Sequence, residues 1–169
     1  MSRRCASPTL HQTPDLDMPT KRHYPRLNAK LACFKLRIGR SRIERFGVFA
    51  EETIPRRKRV IEYTGELISA REALRRAVKM FAAGKPERVY TVDLGRRGKL
   101  DAAVGGSGAE FINHGCEPNL TVRKIRGQVF YYSFRKIKAG EELTADYGFR
   151  CSAPCRCGAA KCRGTMCHF

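Results

Sequence analysis

The chain has 169 residues, 42% of them hydrophobic, which is enough for one globular domain with a real core. It carries 34 Lys+Arg against 16 Asp+Glu, a formal net charge of +18, so polyanions are its natural counterparts and contact with them will weaken with salt. No run approaches the roughly 20 apolar residues that cross a bilayer, and the basic start lacks the apolar stretch of an ordinary secretory signal, so the sequence gives no support to a membrane partner. The basic residues occur along the whole chain, so the sequence alone defines no single binding patch.

Residues 1–32 are polar, basic and Pro-containing, with no periodic apolar pattern, and are expected to form a disordered tail. The pattern then changes. "FKLRI" (34–38) alternates and predicts a strand, as does "RVIEYTG" (59–65). Ser69 to Ala83 predicts the one main helix: Ser69 and Glu72 form a capping box, and Leu74, Val78 and Phe81 recur at helical spacing. Gly84 and Pro86 stop it. "VYTVDL" (89–94) predicts another strand, and the glycine-rich stretch Gly95–Gly108 reads as loop. "NLTVRKI" and "QVFYYSF" flank Arg126-Gly127 and predict a hairpin; "KAGEE" is a turn leading into "LTADYGF". Many short strands and one helix make the chain mainly β.

Cysteines stand at 5, 33, 116, 151, 155, 157, 162 and 167. Without a secretory signal their spacing favours metal over disulfides. "CRCGAAKC" places Cys155, Cys157 and Cys162 in C-x-C-x4-C order, three ligands of a site that wants four. Cys116, isolated in "EFINHGCEPN", is the natural fourth; Cys151, Cys167 and His168 are rivals. Such a zinc would clamp the C-terminal segment onto the "NHGC" loop.

Four separated stretches, "RFGVFA" (45–50), "EYTGE" (62–66), "FINHGCEPN" (111–119) and "ELTADYGF" (142–149), resemble in their order the SET-domain protein-lysine methyltransferases. "CRCGAAKCRG" (155–164) resembles the post-SET zinc motif of their Trithorax-like branch. The resemblance implies a β-clip-like SET fold of several small sheets. It also implies a C-terminal pseudoknot, with a SET domain over 33–149 and a zinc-bound post-SET tail over 150–169.

The activity it implies is methyl transfer from S-adenosylmethionine (SAM) to a lysine amine, with Tyr147 as the catalytic tyrosine. Tyr90 matches a tyrosine that lines the lysine channel and touches the cofactor. Arg45, Phe46 and Gly47 stand where the family's cofactor turn lies, with Arg45 in place of its first glycine. Asn113 and the backbone of His114 match its cofactor-binding pair, with the His114 ring read as a structural hydrogen-bonding group. Tyr63 reads either as channel wall or as core.

Two departures stand out. Before the Asn-His pair the family's asparagine and arginine are replaced by Ser107 and Glu110. Two residues before Tyr147, where the family has Phe or Tyr, this chain has Ala145, whose small size implies di- or trimethylation.

The implied partner is a basic protein bearing the target lysine, a histone or nucleosome in the first instance, with non-specific nucleic-acid contact as an aid to reaching it. A minimal unit of this kind also suits a bacterial protein, which would place it in the cytoplasm instead of in a nucleus. Two other readings compete: a SET fold that binds without turnover, and a basic nucleic-acid-binding protein with a zinc tail. SAM affinity and turnover separate the three.

Overall fold

The computed structural model describes residues 25–85, 89–148 and 154–166. Ten strands and one α-helix follow in order: β1 (Leu36–Arg40), β2 (Phe46–Ala50), β3 (Arg59–Tyr63), β4 (Glu66–Ile68), α1 (Ala70–Ala82), β5 (Thr91–Asp93), β6 (Lys99–Asp101), β7 (Asn113–His114), β8 (Leu120–Ile125), β9 (Gln128–Ser133) and β10 (Glu142–Ala145). They group into a seven-stranded sheet, ordered β1-β2-β10-β8-β9-β3 with β7 on β10, and a three-stranded sheet, β4-β6-β5. The fold is mainly β.

The core lies where alternating strand residues converge. Val48, Ile54, Val60, Ile61, Val129, Ile137 and Leu143 are fully buried, and Ile112 and Leu120 nearly so. Strand β10 threads through this core: Leu143 pairs with Val48 on β2, and Ala145 pairs with both His114 on β7 and Leu120 on β8. The β8–β9 hairpin closes through Arg126 (φ 52) and Gly127 (φ 89), the doubly left-handed conformation of a tight two-residue turn.

Three expectations change. Residues 25–32, read as the end of a disordered tail, dock on the domain: Asn28 N donates to Ser107 O at 2.8 Å, Leu27 packs on the core, and Ala32 bridges to Ile61. The remainder of that reading, residues 1–24, falls outside the described residues. The stretch Gly95–Gly108, read as loop, contains β6 as the central strand of the small sheet. Three-residue strands carry too little periodicity to be seen among glycines. Finally, Phe46 and Gly47, expected in a turn, open strand β2, paired with Arg40 and Gly39 on β1.

Helix α1 begins with one half of the expected capping box: Ser69 Oγ accepts from Glu72 N at 3.1 Å, while the Glu72 carboxylate turns to Arg75 and Arg76. It ends at Gly84 (φ 67), whose N–H and that of Lys85 return to Phe81 O and Met80 O. Yet its apolar stripe faces outward: Leu74, Val78 and Phe81 are 66%, 59% and 64% exposed, and Ala73 is its one buried residue. The helix is tied down by charge. Arg76 forks to Glu72 on its own helix, Glu66 on β4 and the buried Asp101 on β6, each at 2.8 Å. Those three hydrogen-bonded carboxylates hold the Arg76 guanidinium more firmly protonated than usual.

No helix among the described residues is long and apolar enough to cross a membrane.

Replacing Arg76 by Met leaves the Asp101 carboxylate buried without its cation. Amide exchange in α1 and in the β4-β6-β5 sheet is expected to accelerate selectively. Exchange that rose equally in the large sheet would show that Arg76 anchors the whole domain and not this layer.

Candidate functional site

The site gathers where β7 meets β10. Parallel pairing sets Asn113 beside Thr144 and His114 beside Ala145, and Gly115 N donates to Ala145 O at 3.0 Å. The approach is close enough that a Cβ at Gly115 would fall 2.9 Å from the Thr144 side chain. Tyr147 emerges from the end of β10. It is 37% exposed overall, but its hydroxyl turns inward and donates to Ile112 O at 2.8 Å. Burial pushes this phenol well above its usual pKa, so the hydroxyl keeps its proton.

The His114 ring is spent on structure. Nδ1 accepts from Tyr147 N at 3.3 Å, the ring meets the Tyr147 ring edge-on at 5.4 Å, and Nε2 lies 3.4 Å from Cys116 Sγ. Burial, only partly opposed by nearby Asp146, pulls its pKa down, so it is neutral near pH 7 and able to accept at Nδ1.

Asn113 is 6% exposed, and its Nδ2 donates inside the protein: to Phe46 O (2.8 Å), Glu142 Oε1 (2.7 Å) and Ser41 Oγ (3.2 Å). Its amide donors are therefore engaged, and the group left to meet a ligand is the carbonyl oxygen. Glu142 also accepts from Ser41 Oγ at 2.8 Å and covers Gly47, where a Cβ would meet its carboxylate. Gly47 thus makes room for a carboxylate of the protein itself. The Phe46 ring packs edge-on to Phe111 at 6.3 Å, and the guanidiniums of Arg40 and Arg45 each lie 5.5 Å over it. This corner offers a cation, acceptor oxygens and aromatic faces.

The phenols converge as well. Tyr90 lies 5.7 Å from Phe111 and within electrostatic reach of Tyr147. Tyr63 is core, 4% exposed, with its hydroxyl donating to Tyr90 O at 2.7 Å. Tyr131 on β9 went unnoticed in the sequence because a strand full of aromatics gives no reason to choose one. It contacts Tyr63 at 6.4 Å and influences Tyr147 electrostatically. Burial raises the pKa values of Tyr63 and Tyr131, and the nearby Glu110 adds to it. Burial raises its own pKa, although it accepts a 2.8 Å hydrogen bond from Gly108 N.

The sulfur atoms of Cys116, Cys155, Cys157 and Cys162 lie within 4.8 Å of one another, with Cys116 and Cys155 at 3.6 Å. Tetrahedral metal–sulfur bonds of about 2.3 Å would set sulfur–sulfur edges of roughly 3.8 Å, so the cluster has the dimensions of a four-thiolate site. Backbone donors point at it, among them Cys116 N at Cys157 Sγ and Arg163 N at Cys116 Sγ, both 3.5 Å. Burial pushes Cys155 up to about 12, while backbone donors at Cys116 and Ala159 outweigh burial and bring Cys157 to about 7. The rival ligands Cys151, Cys167 and His168 fall outside the described residues. The cluster is tied to Tyr147 by charge: Arg163 makes a two-pronged bond to Asp146 at 2.7 and 3.1 Å, holding that carboxyl below its usual pKa against the effect of burial.

A family model described as "SET domain" matches residues 45–148, more than half of the chain, and the chain belongs to that family. Among curated relatives, it is 40% identical over 88% of its length to a Schizosaccharomyces pombe protein named histone-lysine N-methyltransferase, H3 lysine-4 specific. It is 37% identical over 78% of its length to histone-lysine N-methyltransferase TRX1 of rice, and 32% identical over the same share to histone-lysine N-methyltransferase Set2 of Drosophila melanogaster. It spans only a small part of these proteins: 17%, 14% and 6% of their respective lengths.

Elemental analysis of the purified protein is expected to give one metal ion per chain. Cys116→Ser should abolish its retention, whereas Cys33→Ser, at an exposed thiol outside the cluster, should not. A chain that holds its ion equally well after the Cys116 change would place the metal elsewhere.

Proposed function

We propose that this protein is a protein-lysine N-methyltransferase. It would use SAM as methyl donor, take a basic protein as substrate, with a histone or nucleosome as first candidate, and hold a structural zinc on Cys116, Cys155, Cys157 and Cys162. In this reading residues 33–149 are the catalytic unit and 150–169 its zinc-bound extension. The observation that carries it is the Tyr147 hydroxyl, pinned to Ile112 O directly beside the Asn113-His114 pair in a SET-family chain.

The corner at Phe46 suits SAM chemically. Arg45 can meet its carboxylate, Asn113 Oδ1 and Glu142 its ammonium, and the rings of Phe46, Phe111 and Tyr90 a sulfonium charge. When bound, SAM supplies an electrophilic methyl on positive sulfur. The rest falls to the chain. Transfer needs the amine and methyl in line and free of water, which is a problem of positioning. A phenol oxygen that donates its proton can still accept, and Tyr147, its proton directed at Ile112 O, would orient the amine and make weak C–H···O contacts. Around it Tyr90, with Tyr63 and Tyr131 packed in the core behind, would make a low-dielectric lining, which disfavours ammonium and helps the substrate lysine shed its proton to solvent before attack. Ala145, 1% exposed, takes the position where a bulkier ring would restrict the number of methyl groups, which supports di- or trimethylation.

Zinc would act at a distance, by fixing Cys116 and, through Arg163 and Asp146, the strand end that carries Tyr147. Thiolates select soft or borderline metals, and a four-sulfur tetrahedron suits zinc. A histone substrate would place the work on chromatin. The relatives from a fungus, a plant and an insect give the bacterial-cytoplasm alternative no support.

Intact-protein mass spectrometry of zinc-loaded enzyme with SAM and core histones, nucleosomes or a basic lysate tests the proposal. Methyl-mass increments are expected, falling about 100-fold in Tyr147→Phe as the amine loses its orienting hydroxyl. Absence of SAM binding would overturn the proposal. Ala145→Tyr is expected to hold the product at a single methyl; an unchanged product distribution would show that another side chain sets the limit.

A further inference from the structure

Positive charge is spread over the chain, but on one face it is mounted on a rigid base. The turn 55–58 and the loop 134–138 are fastened together from beneath. Ile54 and Ile137, both fully buried, exchange two backbone hydrogen bonds of 2.9 Å. Ser133, 1% exposed, accepts from Arg57 N through its carbonyl and from Lys58 N through its hydroxyl, both at 2.9 Å, and donates to Pro55 O at 2.6 Å. Arg56 Nε donates to Phe134 O at 3.1 Å.

Segments 55–59 and 134–138 hold seven basic residues and no acidic one. Arg135 is paired with Glu141 at 2.8 Å and Lys138 lies within electrostatic reach of the same carboxylate, whereas Arg57, Lys58 and Lys136 are exposed and have no carboxylate partner among the described residues. Two further features mark the face. Arg57 sits at φ +63, a left-handed position that glycine occupies at less cost. Phe134 is 59% exposed in the same loop, an aromatic ring turned to solvent among cations.

We propose that this face binds single-stranded nucleic acid, with phosphates on Arg57, Lys58, Lys136 and Lys138 and an unpaired base stacked on Phe134. The chemistry separates this ligand from other polyanions. A flat ring beside a row of cations matches a base beside its phosphates, and stacking tolerates any base because each has a π-face. A membrane surface would call for several apolar side chains, and this face offers one. An acidic peptide would gain nothing specific from a lone exposed ring. The assignment does not rest on methyl transfer, and binding is read without SAM.

Fluorescence anisotropy with a labelled single strand and a duplex of equal length, each titrated at several salt concentrations, tests it. Arg57→Gly/Lys136→Gln/Lys138→Gln removes three charges from the face, and Arg57→Gly also relieves the left-handed backbone. Arg71→Gln/Lys79→Gln/Lys85→Gln removes three exposed charges on and beyond α1 as a matched control. The single strand is expected to bind tighter than the duplex, and Phe134→Ala should weaken the single strand about tenfold while sparing the duplex. The face variant should lower the salt slope by about 2, at roughly 0.7 per phosphate contact, and the control should keep the wild-type slope. Circular dichroism checks that each variant is folded; Lys136→Gln/Lys138→Gln, at two exposed side chains, serves if the triple variant is not. Equal losses in the two triple variants would mean diffuse charge without a site. Indifference to Phe134→Ala, or competition by polyglutamate as effective as by the oligonucleotide, would overturn the stacking and with it the proposal.

Discussion

Strand β10 enters the large sheet between β2 and β8, with β7 running parallel beside it, and each part of the candidate site is positioned by that insertion. Its backbone is held on several sides: Leu143 against Val48, Thr144 N on Asn119 Oδ1 at 2.9 Å, Glu142 O on Asn119 Nδ2 at 2.7 Å, and Ala145 O on Gly115 N at 3.0 Å. The parallel register brings two stretches thirty residues apart into contact, so Tyr147 reaches Ile112 and Cys116 reaches the C-terminal thiols. Core burial of Leu143 and Ala145 resists slippage, since a shift by one residue would turn both outward.

Hydrogen bonds and ion pairs do most of the fastening around this strand. Asn113 ties β7 to β2 and β10 through Phe46 O and Glu142. His114 joins the backbone of Tyr147 on one side to Cys116 on the other. Arg163 joins the thiol segment to Asp146, the neighbour of Tyr147. These links give a physical route by which order at the thiol cluster reaches the tyrosine, since a floppy 154–166 segment would release both Arg163 and the contact at Cys116. Helix α1 follows the same rule in the small sheet, where one guanidinium serves three carboxylates and the apolar stripe is left to solvent.

A net charge of +18 sets a problem for any enzyme whose substrate is itself basic. Long-range attraction would have to come from a polyanion that both share. The rigid cationic face at 55–58 and 134–138 offers a place for such contact, while acids such as Asp146 and Glu142 are drawn into local pairs and hydrogen bonds at the site. Attraction at one surface and chemistry at another can then coexist on one positively charged domain.

Local elements and chemical types were legible in the chain alone. Capping at Ser69, the Arg126-Gly127 turn, the alternating strands and the spacing of Cys155, Cys157 and Cys162 are short-range features, set by the conformational preferences of a few adjacent residues. The ordered stretches were also enough to suggest the family. Tertiary structure decided what depends on distant neighbours. It placed Cys116 among the thiols, Tyr131 beside the other phenols and residues 25–32 on the core, and found β6 inside a glycine-rich stretch. It set Gly47 against the Glu142 carboxylate and turned a periodic apolar stripe to solvent, with Arg76 carrying the attachment. Periodicity reports which face of an element is apolar; whether anything lies opposite that face is fixed only when the rest of the chain is folded around it.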